Sequence, residues 1–166
     1  MPKFVDDLKA KTSYMMTNNE RRLPVGLQSF KEIRENGYVY VDKTDIVWHL
    51  VNKDKKFNYL SRPRRFGKSV LVSTLQNYLE GRKELFEGLK IMQLEKDWTS
   101  HPVIRLDMSR GGANAETIRS YLGNAFKRYE KQYGLTPAPT DSLADRFDAI
   151  IMRAYEQTGN KVCILI

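Results

Sequence analysis

A glycine-lysine-serine run at positions 67 to 69 has the residue types needed to bind phosphate. Gly67 lets backbone N–H groups approach an anion, and the ammonium group of Lys68 can reach the outer phosphates of a nucleotide. Ser69 would open a helix whose positive end faces the ligand, and its hydroxyl is placed for a magnesium ion. The pattern GxxxxGK(S/T) is only half present, because Arg62 replaces its first glycine and Pro63 imposes an extended approach. We therefore expect a loop whose shape differs from that of an ordinary phosphate-binding loop.

The segments on either side of this run predict the elements that would position it. Residues 57–61 indicate a short strand, and an amphipathic helix is predicted after the run, ending near Gly81. The apolar side chains at helical spacing are Val70, Leu71, Leu75, Tyr78 and Leu79. Strand, loop and helix follow one another in the order that a phosphate-binding loop requires. A helix start with a solvated cluster of arginine and lysine stays open as the alternative.

The composition is that of one ordinary globular domain. With 166 residues, of which 41% are hydrophobic, the chain is long enough to bury a core. No apolar run approaches the roughly 20 residues of a membrane span, and the N-terminus lacks a secretory apolar segment. We therefore expect a cytoplasmic protein without a membrane partner. Cys163 is expected as a small buried side chain, and the distant histidines His49 and His101 disfavour a zinc site.

The formal net charge of +8 favours an anionic partner, for which nucleotide and nucleic acid would both be suitable. Basic residues are grouped at positions 21–22, 53–56, 62–68 and 82–83. A solvated surface remains the alternative for the groups that lie away from the predicted loop. Arg64 and Arg65 differ from the others, because they lie beside the predicted phosphate site.

Helical and extended patterns alternate along the chain. Before the loop, the predicted elements are a basic helix over 3–15, a linker over 18–24, a helical turn over 29–36, a strand over 38–41, a helix from Asp42 or Thr44 through Leu50 and the strand over 57–61. After the loop and its helix, they are an irregular or briefly helical stretch over 83–98, a strand over 103–107, a helix from Asn114 to Gly134, a loop over 135–140, a helix from about Ser142 to Gly159 and a strand over 162–166.

Strands separated by helices predict an α/β fold in which a parallel sheet is flanked by helices on both faces. We expect about three core strands as parallel neighbours, over 57–61, 103–107 and 162–166, with an N-terminal strand and helix segment beside them. The last strand is uninterruptedly apolar and is expected inside the sheet.

The position of the last predicted strand bears on catalysis. In P-loop proteins an acidic residue that holds magnesium usually follows a strand of this kind, but the chain ends at Ile166. We therefore expect the N-terminal part of a P-loop domain, which binds nucleotide without hydrolysing it at a useful rate. A native C-terminal strand docked as the last strand of the sheet is the alternative.

Four segments carry a resemblance to a known family. They are Leu-Pro-Val-Gly at 23–26, Gly-Tyr-Val-Tyr-Val-Asp-Lys-Thr at 37–44, Ser-Arg-Pro-Arg-Arg-Phe-Gly-Lys-Ser at 61–69 and His-Pro-Val-Ile-Arg-Leu-Asp at 101–107. They resemble the AAA-ATPase-like domain of bacterial proteins that often carry a PD-(D/E)XK nuclease-like domain farther along. Arginine in place of the first loop glycine is usual in that family. Its last strand continues into Asp-Glu-Tyr-Asp, so the resemblance implies truncation before the Walker B acidic residues.

The resemblance covers about residues 23–166, which it implies to be the N-terminal part of an AAA-ATPase-like P-loop domain, with residues 1–22 as an N-terminal helix and linker before it. It implies a P-loop ATPase-like module that binds ATP with Mg²⁺ as cofactor. The residues that it assigns to the nucleotide are Arg64, Arg65, Phe66, Gly67, Lys68, Ser69 and Val70. In these positions the backbone would cradle the phosphates, Lys68 would pair with the β and γ oxygens, and Ser69 would ligate Mg²⁺. A possible adenine pocket is formed by Tyr40, Asp42, Lys43 and Thr44, although a strand with a helix cap explains the same residues. Asp107 ends a strand and more often caps a loop than approaches a metal, so no catalytic residue is assigned within the chain.

Two other functional classes stay open. A basic module of a nuclease-associated protein would bind nucleic acid through the same clusters, with affinity that falls steeply as salt increases. A degenerate scaffold would bind neither ligand. The further partners expected are the rest of a longer parent protein, or a second copy that pairs with an exposed edge of the sheet.

Overall fold

The computed structural model describes residues 22–52, Ser61, Pro63, 66–112 and 114–166. The predicted basic helix over 3–15, most of the linker over 18–24 and nearly all of the strand over 57–61 lie outside these residues. Arg62, Arg64 and Arg65 of the predicted loop also lie outside them.

Six α-helices and two strands are formed by the described residues. They are α1 (Phe30–Glu35), α2 (Thr44–Asn52), α3 (Lys68–Leu79), α4 (Ile91–Leu94), β1 (Val103–Arg105), α5 (Ala115–Tyr133), α6 (Leu143–Thr158) and β2 (Cys163–Leu165). Short 3-10 turns at Lys83–Phe86 and Met108–Gly111 precede α4 and follow β1. The structure is thus mixed α/β and rich in helix. Among the described helices, none is both long and apolar enough to cross a bilayer.

The two strands are parallel neighbours, as predicted, with Val103 opposite Cys163 and Ile104 opposite Ile164. Residues opposite one another in a parallel pair point to the same face of the sheet. On one face, Ile104 packs in an apolar cluster with Phe126 of α5 and Ile150 of α6. On the other face, the Arg105 side chain donates to Gln76 of α3 at 3.2 Å. The described sheet therefore lies between α3 on one side and the α5–α6 pair on the other.

A second apolar cluster joins the N-terminal helices to α3. Phe30 of α1, Val47 of α2 and Tyr78 of α3 are buried there, together with Phe86 and Ile91. Phe30 and Phe86 have ring centroids 4.8 Å apart. This cluster fixes α1 and α2 against the side of α3 and so determines where the start of α3 lies.

The predicted strand over 38–41 is wrong. Its backbone forms no ladder with the described residues, because the Tyr38 N–H donates to Ile33 O at 3.0 Å and the Val39 N–H to Arg22 O at 2.9 Å. Tyr40 instead packs against the ring of Phe30, with ring centroids 5.0 Å apart, and the next residue, Val41, is exposed.

Burial of the last strand also differs from the prediction. Ile164 is 42% exposed, whereas Ile104 beside it on the same face is fully buried. The α5 and α6 helices therefore lie over β1 rather than over β2. Cys163 is only half-buried, and this partial burial raises the pKa of its thiol.

The outer edge of β1 is closed by side chains. The Tyr129 hydroxyl accepts from Arg105 N–H at 2.8 Å and donates to Arg105 O at 3.1 Å. The Tyr121 hydroxyl accepts from Asp107 N–H at 2.7 Å. Both tyrosines belong to α5, so the edge of β1 that faces away from β2 carries satisfied backbone groups. A second copy could not add a strand there without displacing these hydroxyls.

Candidate phosphate-binding site

The helix predicted after the loop begins at Lys68. Gly67 is the N-cap residue, with φ of 75° and ψ of 17°, a left-handed conformation that side-chain-bearing residues rarely adopt. Apart from its chain neighbours, none of the described residues places an atom within 4 Å of where a Cβ on Gly67 would stand. The backbone conformation, rather than close packing by the described residues, therefore requires glycine at this position.

The first turn of α3 contains no side chain that neutralises its positive end. Because the N-cap is glycine, no side chain caps the helix, and its first turn contains no acidic residue. Leu71 N–H donates to Gly67 O at 2.9 Å and begins the helical hydrogen bonds. The N–H groups before Leu71 can have no partner within the helix, and such groups attract anions.

The side chains of the predicted loop lie at the surface around this helix end. Phe66 is 62% exposed, Lys68 and Ser69 are exposed, and Val70 is half-buried. Lys68 Nζ donates to Pro63 O at 3.3 Å, so its ammonium group folds back toward the preceding loop. The structure thus brings together Phe66 to Val70, while the two arginines assigned to the nucleotide lie outside the described residues.

Magnesium binding at this position would rest on few protein ligands. Mg²⁺ prefers oxygen ligands and is often held by one or two protein groups together with substrate phosphates and water. The exposed Ser69 hydroxyl is such an oxygen. Among the described residues no group of three or more histidine, cysteine, aspartate or glutamate side chains could hold a metal by itself. Ser69 therefore fits a metal that is bound mainly by phosphate.

The residues predicted for the adenine pocket make structural contacts. Asp42 Oδ1 accepts from Thr44 N–H and hydroxyl at 2.9 and 2.7 Å, and Oδ2 accepts from Lys90 N–H at 2.8 Å. Burial raises the pKa of Asp42, but these hydrogen bonds outweigh it and the pKa is lowered. Thr44 is fully buried and also accepts from Ile91 N–H at 3.1 Å. Asp42 and Thr44 thus join the start of α2 to α4.

The other two residues of the predicted pocket differ from each other. Tyr40 is half-buried against Phe30, and this burial is the main cause of its raised pKa. Its hydroxyl interacts with Thr74, near the middle of α3. Lys43 is exposed. Base binding by these residues stays a prediction, which must be compatible with the contacts that they already make.

Asp107 has the loop-capping role that made it a weak site candidate. Its Oδ1 accepts from the Ser109 hydroxyl at 2.5 Å and from Ser109 N–H at 3.2 Å, and Oδ2 pairs with Arg110 Nε at 3.2 Å. The hydrogen bond from the Ser109 hydroxyl is the main cause of the lowered pKa of Asp107.

Sequence reasoning missed a polar cleft of about 340 Å³ beside α3. Ser73, Gln76, Asn77 and Glu80 line it from the helix, and Arg105 lines it from β1. The signal was available, because these four polar residues recur at helical spacing after Ser69. The prediction for this helix used only its apolar residues.

The chain is similar to known proteins over most of its length. Residues 24–166 match the model of a family described as Predicted AAA-ATPase. A protein of Azotobacter chroococcum mcd 1, described as an uncharacterized protein in the vnfD 5' region, is 33% identical over 151 residues. That match covers 89% of this chain, which spans about 29% of the length of the relative. No solved structure matches. Because the family model covers most of the sequence, the chain belongs to the Predicted AAA-ATPase family.

Proposed function

We propose that the loop before α3 binds the phosphates of ATP. The observation that carries this proposal is the left-handed Gly67 at the uncapped start of α3, followed directly by Lys68 and Ser69. Membership of the Predicted AAA-ATPase family supports ATP as the ligand.

In this proposal the backbone N–H groups at the start of α3 bind the phosphate oxygens. A helix N-terminus is equivalent to roughly +0.5 elementary charge and favours an anion without any rearrangement of the backbone. Lys68 adds a full positive charge. On binding, its ammonium group would leave Pro63 O and contact the β and γ oxygens of the nucleotide. Ser69 would contribute its hydroxyl to Mg²⁺. When bound, Mg²⁺ neutralises part of the phosphate charge.

Contacts along the middle and end of α3 hold the helix in place. The Ser73 hydroxyl accepts from Phe30 N–H at 2.9 Å, which fixes one side of the helix to α1. Gln76 accepts from Arg105 at 3.2 Å, and Leu79 O accepts from His101 N–H at 2.7 Å, which fix it to β1 and the segment before it. Donors that are held in position before binding lose less entropy when a ligand arrives.

Calorimetric titration of ATP and Mg²⁺ into the wild-type protein and Lys68→Ala tests the proposal. A charge-assisted contact is worth about 1.5–3 kcal/mol, so the variant should bind roughly 10- to 150-fold more weakly. Lys127→Ala removes an exposed lysine on α5, far along the chain, and serves as the control for net charge. Equal affinity of Lys68→Ala and Lys127→Ala would remove Lys68 from the site. Absence of ATP binding by the wild-type protein would refute the proposed function.

A further inference from the structure

We propose that the polar cleft beside α3 is a second anion site, which binds a phosphate group through Arg82, Arg105 and Arg110. The cleft lies between the start of α1, the middle of α3 and the end of β1. The proposal does not rest on nucleotide binding by the loop, because no residue from 66 to 70 lines the cleft.

The charges around the cleft favour an anion. Its described lining contains the cations Lys31, Arg82, Arg105 and Arg110, against the two carboxylates of Glu80 and Asp107. Lys31 also pairs, at 3.6 Å, with Glu35, which does not line the cleft. Both carboxylates are already paired with arginines, Glu80 with Arg82 at 2.7 Å and Asp107 with Arg110 at 3.2 Å. A metal ion would have to compete with these guanidinium groups, whereas an oxyanion would be attracted by the positive charge that the ion pairs leave uncompensated, chiefly that of Arg105.

Each of the three arginines is anchored through one nitrogen and keeps other donors unused. Arg82 and Arg110 use Nε for their carboxylates, and Arg105 uses Nη1 for Gln76 at 3.2 Å. Within the part of the chain that the structure describes, their remaining guanidinium nitrogens have no protein acceptor. A guanidinium group carries five N–H donors in a planar fork that matches the oxygens of phosphate. Three such forks therefore lie on one cleft with most of their donors available.

Hydrogen bonds fix two of these arginines relative to each other. Arg105 donates to Gln76 Oε1, Gln76 Nε2 donates to Glu80 Oε1 at 2.8 Å, and Glu80 Oε2 accepts from Arg82 Nε at 2.7 Å. This series of hydrogen bonds runs from Arg105 on β1, across α3, to Arg82, which follows the C-terminal turn of α3. Because the side chains are already held, little rotamer freedom remains to be lost when an anion binds.

Size and polarity define the ligand class. A volume of about 340 Å³ lies at the lower end of the range for small-molecule sites. Serine, glutamine, asparagine and arginine side chains on the walls suit a hydrated phosphate group rather than an apolar ligand. The same chemistry is offered by a small phosphorylated molecule and by the phosphodiester backbone of nucleic acid. These two sources are distinguished by experiment.

The cleft is separate from the loop along α3. On α3, the lining residue nearest the loop is Ser73, five residues after Lys68, or about 7.5 Å at 1.5 Å per residue. Gln76, which binds Arg105, lies eight residues after Lys68, or about 12 Å. Binding at the cleft can therefore be measured in the Lys68→Ala protein, in which the loop is impaired.

The test compares Arg82→Gln and Arg110→Gln, each combined with Lys68→Ala, with a control that carries Arg128→Gln in the same background. Arg110 and Arg128 are exposed, and Arg82 is 41% exposed, so none of these changes should unfold the protein. The probes are pyrophosphate, titrated by calorimetry, and a 12-nucleotide oligo-dT carrying a fluorophore, followed by anisotropy at two salt concentrations. Each cleft variant should weaken probe binding by about 10-fold relative to the control.

Weaker binding of pyrophosphate alone would identify a small phosphorylated ligand. Weaker binding of the oligonucleotide, with a smaller salt dependence than in the control, would identify a nucleic-acid backbone. Either result supports the site. The proposal is overturned if neither probe binds the Lys68→Ala protein, or if the cleft variants and the Arg128→Gln control bind both probes equally.

Discussion

Replacement of Tyr129 by phenylalanine should show how much the closed edge of β1 contributes to stability. The hydroxyl of Tyr129 is the partner of both the N–H and the C=O of Arg105, at 2.8 and 3.1 Å. The phenyl ring of the variant would keep the packing of Tyr129 against the α5–α6 cluster. The change therefore removes two hydrogen bonds without creating a large cavity.

The expected loss of stability follows from the surroundings of Arg105. A buried polar group left without a partner costs about 1–3 kcal/mol, and a typical hydrogen bond contributes about 0.5–1.5 kcal/mol. Arg105 is half-buried, so water can replace part of what is lost. We expect the free energy of unfolding to fall by about 1.5 kcal/mol, which for a chain of this length lowers Tm by roughly 3–6 °C.

Urea denaturation and amide hydrogen exchange at Arg105 measure these effects. Tyr155→Phe is the matched control, because Tyr155 is 52% exposed and its hydroxyl has no partner among the described residues. Exchange at Arg105 should become faster in Tyr129→Phe and stay unchanged in the control. If Tyr121 is also replaced by phenylalanine, the opened edge should favour self-association that increases with concentration. Equal stability of the Tyr129 and Tyr155 variants, with equal exchange at Arg105, would refute the edge-closing role.

Two more predictions concern the acidic side chains. Glu130→Gln should lower the free energy of unfolding by about 3–5 kcal/mol, because Glu130 forms a buried bidentate pair with Arg146 at 2.6 and 2.9 Å. Urea denaturation measures it, and Glu156→Gln, in an exposed pair at 3.5 Å, should change stability by less than about 1 kcal/mol. Burial raises the pKa of Glu95, but hydrogen bonds from the Tyr78 hydroxyl and from backbone N–H groups outweigh it and lower the pKa. The stabilisation from Glu95 is therefore complete above its ordinary pKa of 4.5 and is lost as pH falls through the lowered value. Urea midpoints between pH 6 and pH 3 should fall less steeply in Glu95→Gln, and identical slopes would contradict this.

The helix boundaries could be predicted because they depend on neighbours in the sequence. Asn114 caps α5 by accepting from Thr117 N–H at 2.8 Å, and Gly134 ends it in the left-handed conformation. Ser142 and Asp145 form the capping box that begins α6. Each of these signals acts within four residues, so the surrounding fold has little influence on it.

Contacts between distant parts of the chain could not be predicted in the same way. The apolar alternation over 38–41 is compatible with a strand, but a ladder also needs a partner strand, which a local pattern does not specify. The pairing of Glu130 with Arg146 and the closure of the β1 edge by Tyr129 depend on how α5 lies against α6 and β1. Polar residues on α5 are equally compatible with a solvated helix surface.

The candidate site was predictable to the same extent as the helices. The helix start at Gly67, Lys68 and Ser69 is a local feature, and the structure has a helix that begins there, whereas phosphate binding by these residues stays a prediction. The cleft is assembled from α1, α3 and the end of β1, and its arginines are separated by more than twenty residues at the widest. Arg82 and Arg105 therefore gave no joint signal in the sequence, and only the fold places them on one cleft.

The two proposed anion sites share α3, and their spacing decides how they can influence each other. Two unit charges about 12 Å apart in water interact by only about 0.3 kcal/mol. Screening over a Debye length of about 8 Å at physiological ionic strength reduces this further. With about two negative charges on each ligand, the screened repulsion is about 0.3 kcal/mol, which changes affinity by less than about 2-fold. A larger effect of ATP on phosphate binding at the cleft would therefore require movement of α3, through the Gln76 contact that joins it to Arg105.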